Sequence, residues 1–442
     1  MCDSLRPGID IEDHEFPEWK CLCRNVNINR CRPRFTVKGT DMNKLLKASK
    51  RSMAMDYAIR EISVPAEEAA KAGKKIIGLN IGDPNKWDFE TPENFKDALR
   101  NAVDETDNGY GDSQGNPEFR QSIVERERSK HDVDITTDEV YITNGVSEGI
   151  NILMGTLLEP GDEVLVPGPG YPSYAQYINF YEGKIVPYRQ IEEEDWAPDA
   201  DMIRKRITDR TKALVMINPN NPTGAEYEAK HVDEIGNICA EYNIPLISDE
   251  IYDRLAFDGY FHSASRLGDD VPRIIMNGFS KVNLMPGWRV GYFYVMDQNG
   301  LLDEVREGVM KQLRARICAN VPCQRAAMAA FEGPQDYIMD MNRKLKERAD
   351  YSYKRLNEIE GIETRRAQGA LYMFPKIDLD GRWKTDKEFV LDLIKEEGVV
   401  LVHGSGFCQE FGQSHFRTII LPQIEILEEA YDKLDSFMSR HS

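Results

Sequence analysis

An α/β fold, with a mostly parallel sheet covered by helices on both faces and a smaller α+β domain beside it, is predicted by three features of this 442-residue chain. Short β-rich runs alternate with helical patterns through its middle, the texture changes to a long charged helix from about Pro334, and the most unusual loops each follow a strand. A single hydrophobic core rarely grows beyond about 250–300 residues, so the length calls for two or three domains. A hydrophobic content of 41% is enough to build them.

In chain order, residues 1–41 read as an extension of unknown order, since Cys2, Cys21, Cys23 and Cys31 crowd there among prolines and arginines. A zinc site is conceivable but C-x-C plus one partner is weak spacing, and a loosely ordered segment is the plainer expectation; no metal is assigned. Residues 42–90 form a polar arm, a helix over Val64–Ala72 and a strand at Ile76–Ile81, contributing to the smaller domain. Residues 91–330 carry the large domain, with strands expected at Glu139–Thr143, Glu163–Val166, Ala213–Ile217, Pro245–Ser248, Arg273–Asn277 and Val290–Val295. The last stretch, 331–442, opens with "YIMDMNRKLKERADYSYKRLNEIEG" as a helix, then strands at Ile362–Arg365 and Leu371–Ile377, another helix, and a closing strand-helix pair.

A formal charge of -19 argues against non-specific binding to nucleic acid or an anionic membrane. No apolar run approaches about 18 residues and the N-terminus lacks a signal-peptide core, so a soluble cytoplasmic protein is expected. Eight cysteines are few for the length, and those beyond residue 31 show no repeating spacing, which favours reduced thiols.

Four strand-following loops want one ligand. In "ITNGVSEGINILMG" a strand gives way at Gly145 to a helix on which Ile150, Leu153 and Leu157 recur. The segment Gly145 to Gly149 also fits G-x-S-x-G, so Ser147 could be a nucleophile or a holder of an anion at the helix start. "INPNNPTG" stops its strand with Asn218, Asn220 and Asn221 free to hydrogen-bond. "LISDEIYD" ends an apolar strand in Asp249, which needs a cationic partner unless it only caps a helix, with Tyr252 close behind. In "NGFSKVNLMPGWRVGYFYV", Lys281 follows an apolar strand, a setting in which desolvation lowers a lysine's pKa toward a nucleophilic state; Ser280 and Arg289 make a pair suited to phosphate. A phosphate, a ring atom wanting an anion, a phenolic oxygen and an aldehyde for lysine describe pyridoxal 5'-phosphate (PLP).

"NGYGDSQGNPEFR", "PGPGYPSY", "NPNNPTG", "SDEIY" and "FSKVNLMPGWRVGY" together resemble the class I/II aminotransferases of PLP fold type I, in order and separation, from about Tyr57 to the C-terminus. The resemblance implies that Lys281 forms the Schiff base and Asp249 pairs with the pyridine nitrogen. It implies that Asn221 and Tyr252 contact the phenolic oxygen and that Tyr171 stacks on the ring. Gly145, Val146 and Ser147, with Ser280 and Arg289, would hold the phosphate. Tyr110 would reach the phosphate of a neighbouring subunit, which implies a homodimer. Arg417, in "HFRTIILP", would clamp the substrate carboxylate, with Asn221 beside it and Gly82 in "LNIGDP" allowing close backbone approach. The tail, "RICANVP" and "YAIR" look most like alanine aminotransferases, which act on an amino acid and a 2-oxo acid, here alanine and 2-oxoglutarate. Arg60 departs from the family segment, being followed by Glu61 and Ile62 rather than Gly-Pro, which weakens its case as a second substrate contact.

The nearer alternatives on the same fold are an aromatic or aspartate-type aminotransferase and a PLP-dependent lyase. A serine hydrolase built on Ser147 has Asp249 and His403 or His415 in the right chain order, but gives Lys281, Arg289 and the Asn-Pro loop no role. A non-enzymatic relative would have no need of Lys281 and Asp249.

Overall fold

β1 (Ile77–Gly78) belongs to the smaller region; the main sheet is built from the next eight strands. These are β2 (Val140–Thr143), β3 (Glu163–Gly168), β4 (Lys184–Ile191), β5 (Ala197–Pro198), β6 (Thr211–Ile217), β7 (Leu246–Asp249), β8 (Arg273–Gly278) and β9 (Gly291–Met296). The computed structural model describes residues 46–441 apart from 56, 106, 107, 260 and 380, and Ser49 onward forms one compact unit. The four early cysteines, and with them the extension and its conceivable zinc site, lie outside the described residues.

The strands lie in the order β2-β9-β8-β7-β6-β3-β4-β5. The run from β8 to β4 is parallel throughout, and only β9 and β5 point against the others. Parallel strands connected by crossover helices must be apolar on both faces, and β6 shows how. Ala213, Val215 and Ile217 join one core under the helices Val146–Leu157, Pro172–Phe180 and Asp303–Arg316. Leu214 and Met216 join the other, under Pro117–His131, Ala229–Tyr242 and Val321–Glu332. This arrangement brings the C-terminal ends of β2, β3, β6, β7 and β8 to one edge, from which all four unusual loops depart.

The smaller region holds β10 (Ile362–Glu363), β11 (Tyr372–Met373), β12 (Lys376–Ile377), β13 (Val399–Val400), β14 (Val402–His403) and β15 (Phe416–Ile419), with helices Asp336–Asn357, Asp386–Glu397 and Ile424–His441. Ile77 of β1 pairs in parallel with Val399 of β13. Ile62 and Leu79 pack into the same core as Leu345, Leu393 and Phe437.

Several elements differ from expectation. The strand expected over Ile76–Ile81 forms a ladder only at Ile77 and Gly78, because Asn80 to Asp83 turn toward the main sheet's loops. The strand expected over Leu371–Ile377 is divided into β11 and β12 at Pro375, which has no N–H to donate. β4 lies outside the expected strands; its Pro187 sits in the part of β4 that β5 leaves unpaired, where a missing donor costs nothing. Glu139 belongs to a 3₁₀ turn ahead of β2.

Candidate active site

The loops at the sheet edge, the turn after β1 and β15 of the smaller region enclose a cavity of about 390 Å³. Val146, Ser147, Tyr171, Asn221, Asp249, Tyr252, Ser280, Lys281 and Arg289 line it from the sheet side. Arg60, Gly82 and Arg417 line it from the other. Gly145 adjoins it as the helix N-cap, whereas Tyr110 is 86% exposed and stands outside it.

Asp249 is the last residue of β7 and 2% exposed. Its Oδ1 accepts from the Ile251 N–H at 3.3 Å and its Oδ2 from the Tyr174 hydroxyl at 3.1 Å. Burial pushes its carboxyl up to about 6, and the two hydrogen bonds offset this only in part. No cation of the described residues pairs with it. Glu250 next to it points away from the cavity: it accepts from Ser248, Ser263 and the Ala264 N–H, and burial pushes it up to about 8.

The helix Val146–Leu157 has no side-chain cap, so the N–H groups of Val146 and Ser147 face the cavity without intrahelical partners. Gly145 has φ +83°, and a Cβ there would lie 2.2 Å from Arg289 Nη2. A glycine is therefore required for the arginine to close over the helix start. Arg289 donates from Nη1 to Ser280 Oγ at 3.4 Å and from Nη2 to Asn144 O at 3.2 Å. Backbone donors at a helix start, a hydroxyl and a guanidinium make an anion cradle.

Lys281 donates from Nζ to Gly82 O at 2.6 Å. Arg417 is 1% exposed, stacked between the rings of Tyr372 at 4.4 Å and Phe407 at 4.9 Å. It donates from Nη1 to Asn221 Oδ1 at 3.0 Å and from Nη2 to Asn80 O, and its Nε has no partner. Among the described residues no carboxylate pairs with Lys281 or Arg417. A buried charge without a counter-ion costs several kcal/mol, so an anionic ligand group is the natural partner.

Three tyrosines of the site escaped the sequence reading. Tyr57 donates to Tyr171 Oη at 3.3 Å, Tyr174 holds Asp249, and Tyr372 sits against Tyr252 and Arg417. Tyr174 could have been found, since it lies one helical turn beyond Tyr171 at a helix start. Nothing in the sequence sets Tyr372 apart from a core aromatic.

The family model for aminotransferase class I and II matches residues 74–434. The chain belongs to this family. The glutamate-pyruvate aminotransferase AlaA of Haemophilus influenzae is 38% identical over 399 residues, covering 88% of this chain and 98% of that protein. The alanine aminotransferase of Mycobacterium tuberculosis is 33% identical over 406 residues, covering 89% and 93%. Among solved structures, an alanine aminotransferase from Pyrococcus furiosus superposes with a TM-score of 0.87 at 55% identity, over 89% of this chain and 100% of that one.

Aminotransferases of this class depend on PLP, and the cavity of this one fits it. Its lining combines an anion cradle, a buried carboxyl in want of a cation and an amine with no ionic partner among the described residues. The hydrolase alternative does not survive the geometry. His415 stacks on Phe374 at 5.0 Å and faces Glu192, His403 bonds Ser405, and neither lines the cavity with Ser147. A larger cavity of about 760 Å³ shares Tyr171 with the site but holds neither Lys281 nor Asp249. Among the described residues no helix of the aminotransferase is long and apolar enough to cross a membrane.

Proposed function

We propose that this aminotransferase moves the amino group of L-alanine to 2-oxoglutarate, giving pyruvate and glutamate in two alternating half-reactions. The observation that carries the reading is that Asp249, Lys281 and Arg417 face one cavity and have no ionic partner in the described chain. The names of the similar proteins from Haemophilus, Mycobacterium and Pyrococcus support alanine as donor.

When bound, PLP supplies an aldehyde that condenses with amines and a ring that accepts an electron pair from the substrate α-carbon. The chain does the rest. Val146, Ser147, Ser280 and Arg289, with Gly145 leaving the room, hold the phosphate. Asp249, kept in place by Tyr174, holds a proton on the ring nitrogen, and that cation relieves the cost of its own buried charge. Asn221 and Tyr252 would donate to the phenolic oxygen, and Tyr171 would cover the ring. Lys281 Nζ would hold the cofactor through its aldehyde and would carry the substrate α-proton. Arg417 takes the α-carboxylate in its fork, Asn221 fixes that fork, and Gly82 admits the backbone close to it. Arg60 is exposed and lines the same cavity, within reach of a substrate, although the residues after it depart from the family segment. The enzyme works as a cytoplasmic homodimer in which Tyr110 reaches the neighbouring subunit's phosphate. In domain terms, residues 91–330 form the cofactor-binding part, with 42–90 and 331–442 forming the smaller part.

The test is the visible absorption spectrum of the purified enzyme with PLP, before and after L-alanine and then 2-oxoglutarate. Bleaching by alanine and recovery with 2-oxoglutarate are expected. Bleaching by aspartate or an aromatic amino acid alone would move the specificity to those alternatives, and no visible band would overturn the assignment of Lys281.

A further inference from the structure

Tyr372 lies on β11, whose partner β15 carries Arg417; the register sets Tyr372 across from Ile419. Its side chain is 3% exposed and meets three parts of the site at once. The hydroxyl is 3.0 Å from Tyr252 Oη, with the two rings edge to face at 5.9 Å. The Arg417 guanidinium rests on the ring at 4.4 Å, within the range of a cation–π contact. A Cβ on Gly82 would lie 2.1 Å from the Tyr372 oxygen, so the hydroxyl fills the space that the glycine leaves.

The hydrogen bond between the two tyrosines has a direction that chemistry can assign. On distance alone either oxygen could donate. Each hydroxyl has a single proton, so if Tyr252 gives its own to an acceptor in the cavity, its oxygen can only accept from Tyr372. The charges agree with that polarity. Burial works to raise the Tyr372 phenol, but Lys281 and Arg417 beside it outweigh burial and leave it below its ordinary value. For Tyr252, burial and then the neighbouring Tyr372 raise the phenol well above it. The two cations beside Tyr372 draw electron density from its oxygen and so favour it as the donor of the pair.

We propose that Tyr372 is a positioning residue for transamination: its hydroxyl donates to Tyr252 and commits the single Tyr252 proton to the phenolic oxygen of the cofactor, while its ring supports the Arg417 fork. The inference rests on the assignment of Tyr252 to that oxygen. It goes beyond the family motifs, none of which includes Tyr372.

The experiment is a pH titration of the visible band of the PLP-loaded enzyme without substrate, in the wild type, Tyr372→Phe, Tyr252→Phe and the double variant. Weakening the hydrogen bond to the phenolic oxygen makes that oxygen more basic, so it holds the neighbouring nitrogen's proton to higher pH. The midpoint in Tyr372→Phe is expected to rise by about half a pH unit and in Tyr252→Phe by more. The double variant should match Tyr252→Phe alone, because Tyr372 acts through Tyr252. The KM for L-alanine in Tyr372→Phe should stay within about twofold of wild type, since the ring under Arg417 remains. Tyr372→Leu, which removes that ring, should raise the KM about tenfold. Gly82→Ala displaces the same hydroxyl by a second route and should reproduce the midpoint rise even if Tyr372→Phe does not fold.

A Tyr372→Phe midpoint equal to wild type, with Tyr252→Phe raised, would overturn the proposal and leave the assignment of Tyr252 standing. Additive shifts in the double variant would also overturn it, since Tyr372 would then act without Tyr252. If neither single variant moves the midpoint, the assignment of Tyr252 fails and the proposal falls with it.

Discussion

Asp249, at the end of β7, and Asp253, in the turn that follows, lie four residues apart, both buried, and their surroundings are opposite. Asp253 faces away from that cavity into an ionic network: its Oδ2 accepts from Arg126, which also bonds Glu127 and the Tyr292 hydroxyl, Glu127 accepts from Tyr292 at 2.8 Å and Tyr294 at 3.0 Å, and the second Asp253 oxygen has no hydrogen-bond partner among the described residues. Burial works to raise the Asp253 carboxyl, but Arg126 and Lys130 outweigh it and hold the group below the usual carboxylate range. Asp249 has a phenol and one amide for company, and its carboxyl goes up to about 6. Burial alone therefore does not separate a structural charge from a functional one. What separates them is whether the chain itself provides the counter-charge.

The comparison can be broken in several ways. Its largest test is Lys281→Ala, which should lower transamination by about 10⁴-fold or more with the fold intact by circular dichroism. Retained turnover would make the partnerless amine an accident of packing. Next come the two aspartates as a pair. Asp253→Asn leaves Arg126 with Glu127 as its remaining counter-ion and should destabilise the protein in urea unfolding, by less than the roughly 3–5 kcal/mol of a fully unpaired buried charge. Asp249→Asn should leave the PLP-free protein as stable as wild type or, near pH 8, more stable by about 2–3 kcal/mol, while cutting kcat by about 10³-fold. Equal destabilisation by both would erase the distinction.

The pH dependence follows the same division. Asp249 binds its proton more tightly folded than unfolded, where its ordinary value is 3.8. The PLP-free protein should therefore lose stability as pH rises from about 4 to about 6 on this account. Glu250, raised from 4.5 to about 8 by burial, extends that loss toward pH 8. Asp253 has the opposite sign: its contribution is present above its ordinary carboxylate range and is lost as pH falls through its lowered value. Unfolding curves of Asp249→Asn and Glu250→Gln across this range should each lack one part of the fall.

Smaller effects sharpen the site further. Arg417→Lys keeps the charge and loses the fork, and should raise KM for both substrates by roughly 10–100-fold with a lesser change in kcat. Ser147→Ala should weaken PLP binding only a few-fold, since the backbone N–H groups remain; complete loss of activity would return Ser147 to consideration as a nucleophile.

Much of this site was legible because its charged members sit in loops punctuated by glycine and proline, where packing does not explain them. Asp249, Lys281 and Arg289 each follow or adjoin an apolar strand, so the sequence shows both the strand and the exception at its end. The mostly parallel character of the main sheet followed from alternation of strand and helix, which forces crossovers, whereas the order of its strands did not. The hidden parts were hidden for identifiable reasons. Tyr57, Tyr174 and Tyr372 look like core aromatics, because a phenol's role depends on what its oxygen meets, and for Tyr372 that is a residue 120 positions away. β4 lies outside the expected strands, and the short ladder at Ile77–Gly78 depends on β13, some 320 residues later. Pairing between such distant segments leaves no periodic trace.

The turn from Asn80 to Gly82 acquires a further meaning from its two tethers. Arg417 donates to Asn80 O and Lys281 to Gly82 O, so the two cations assigned to substrate and cofactor are also the clasps of this segment. A ligand that draws on either cation competes with a backbone carbonyl for its hydrogen bonds. By thermodynamic reciprocity, whatever loosens this segment must then alter ligand affinity by the same factor that the ligand alters its seating. The turn thus works as a readable gauge of occupancy: amide exchange at residues 80–82 should register which of the two cations is engaged.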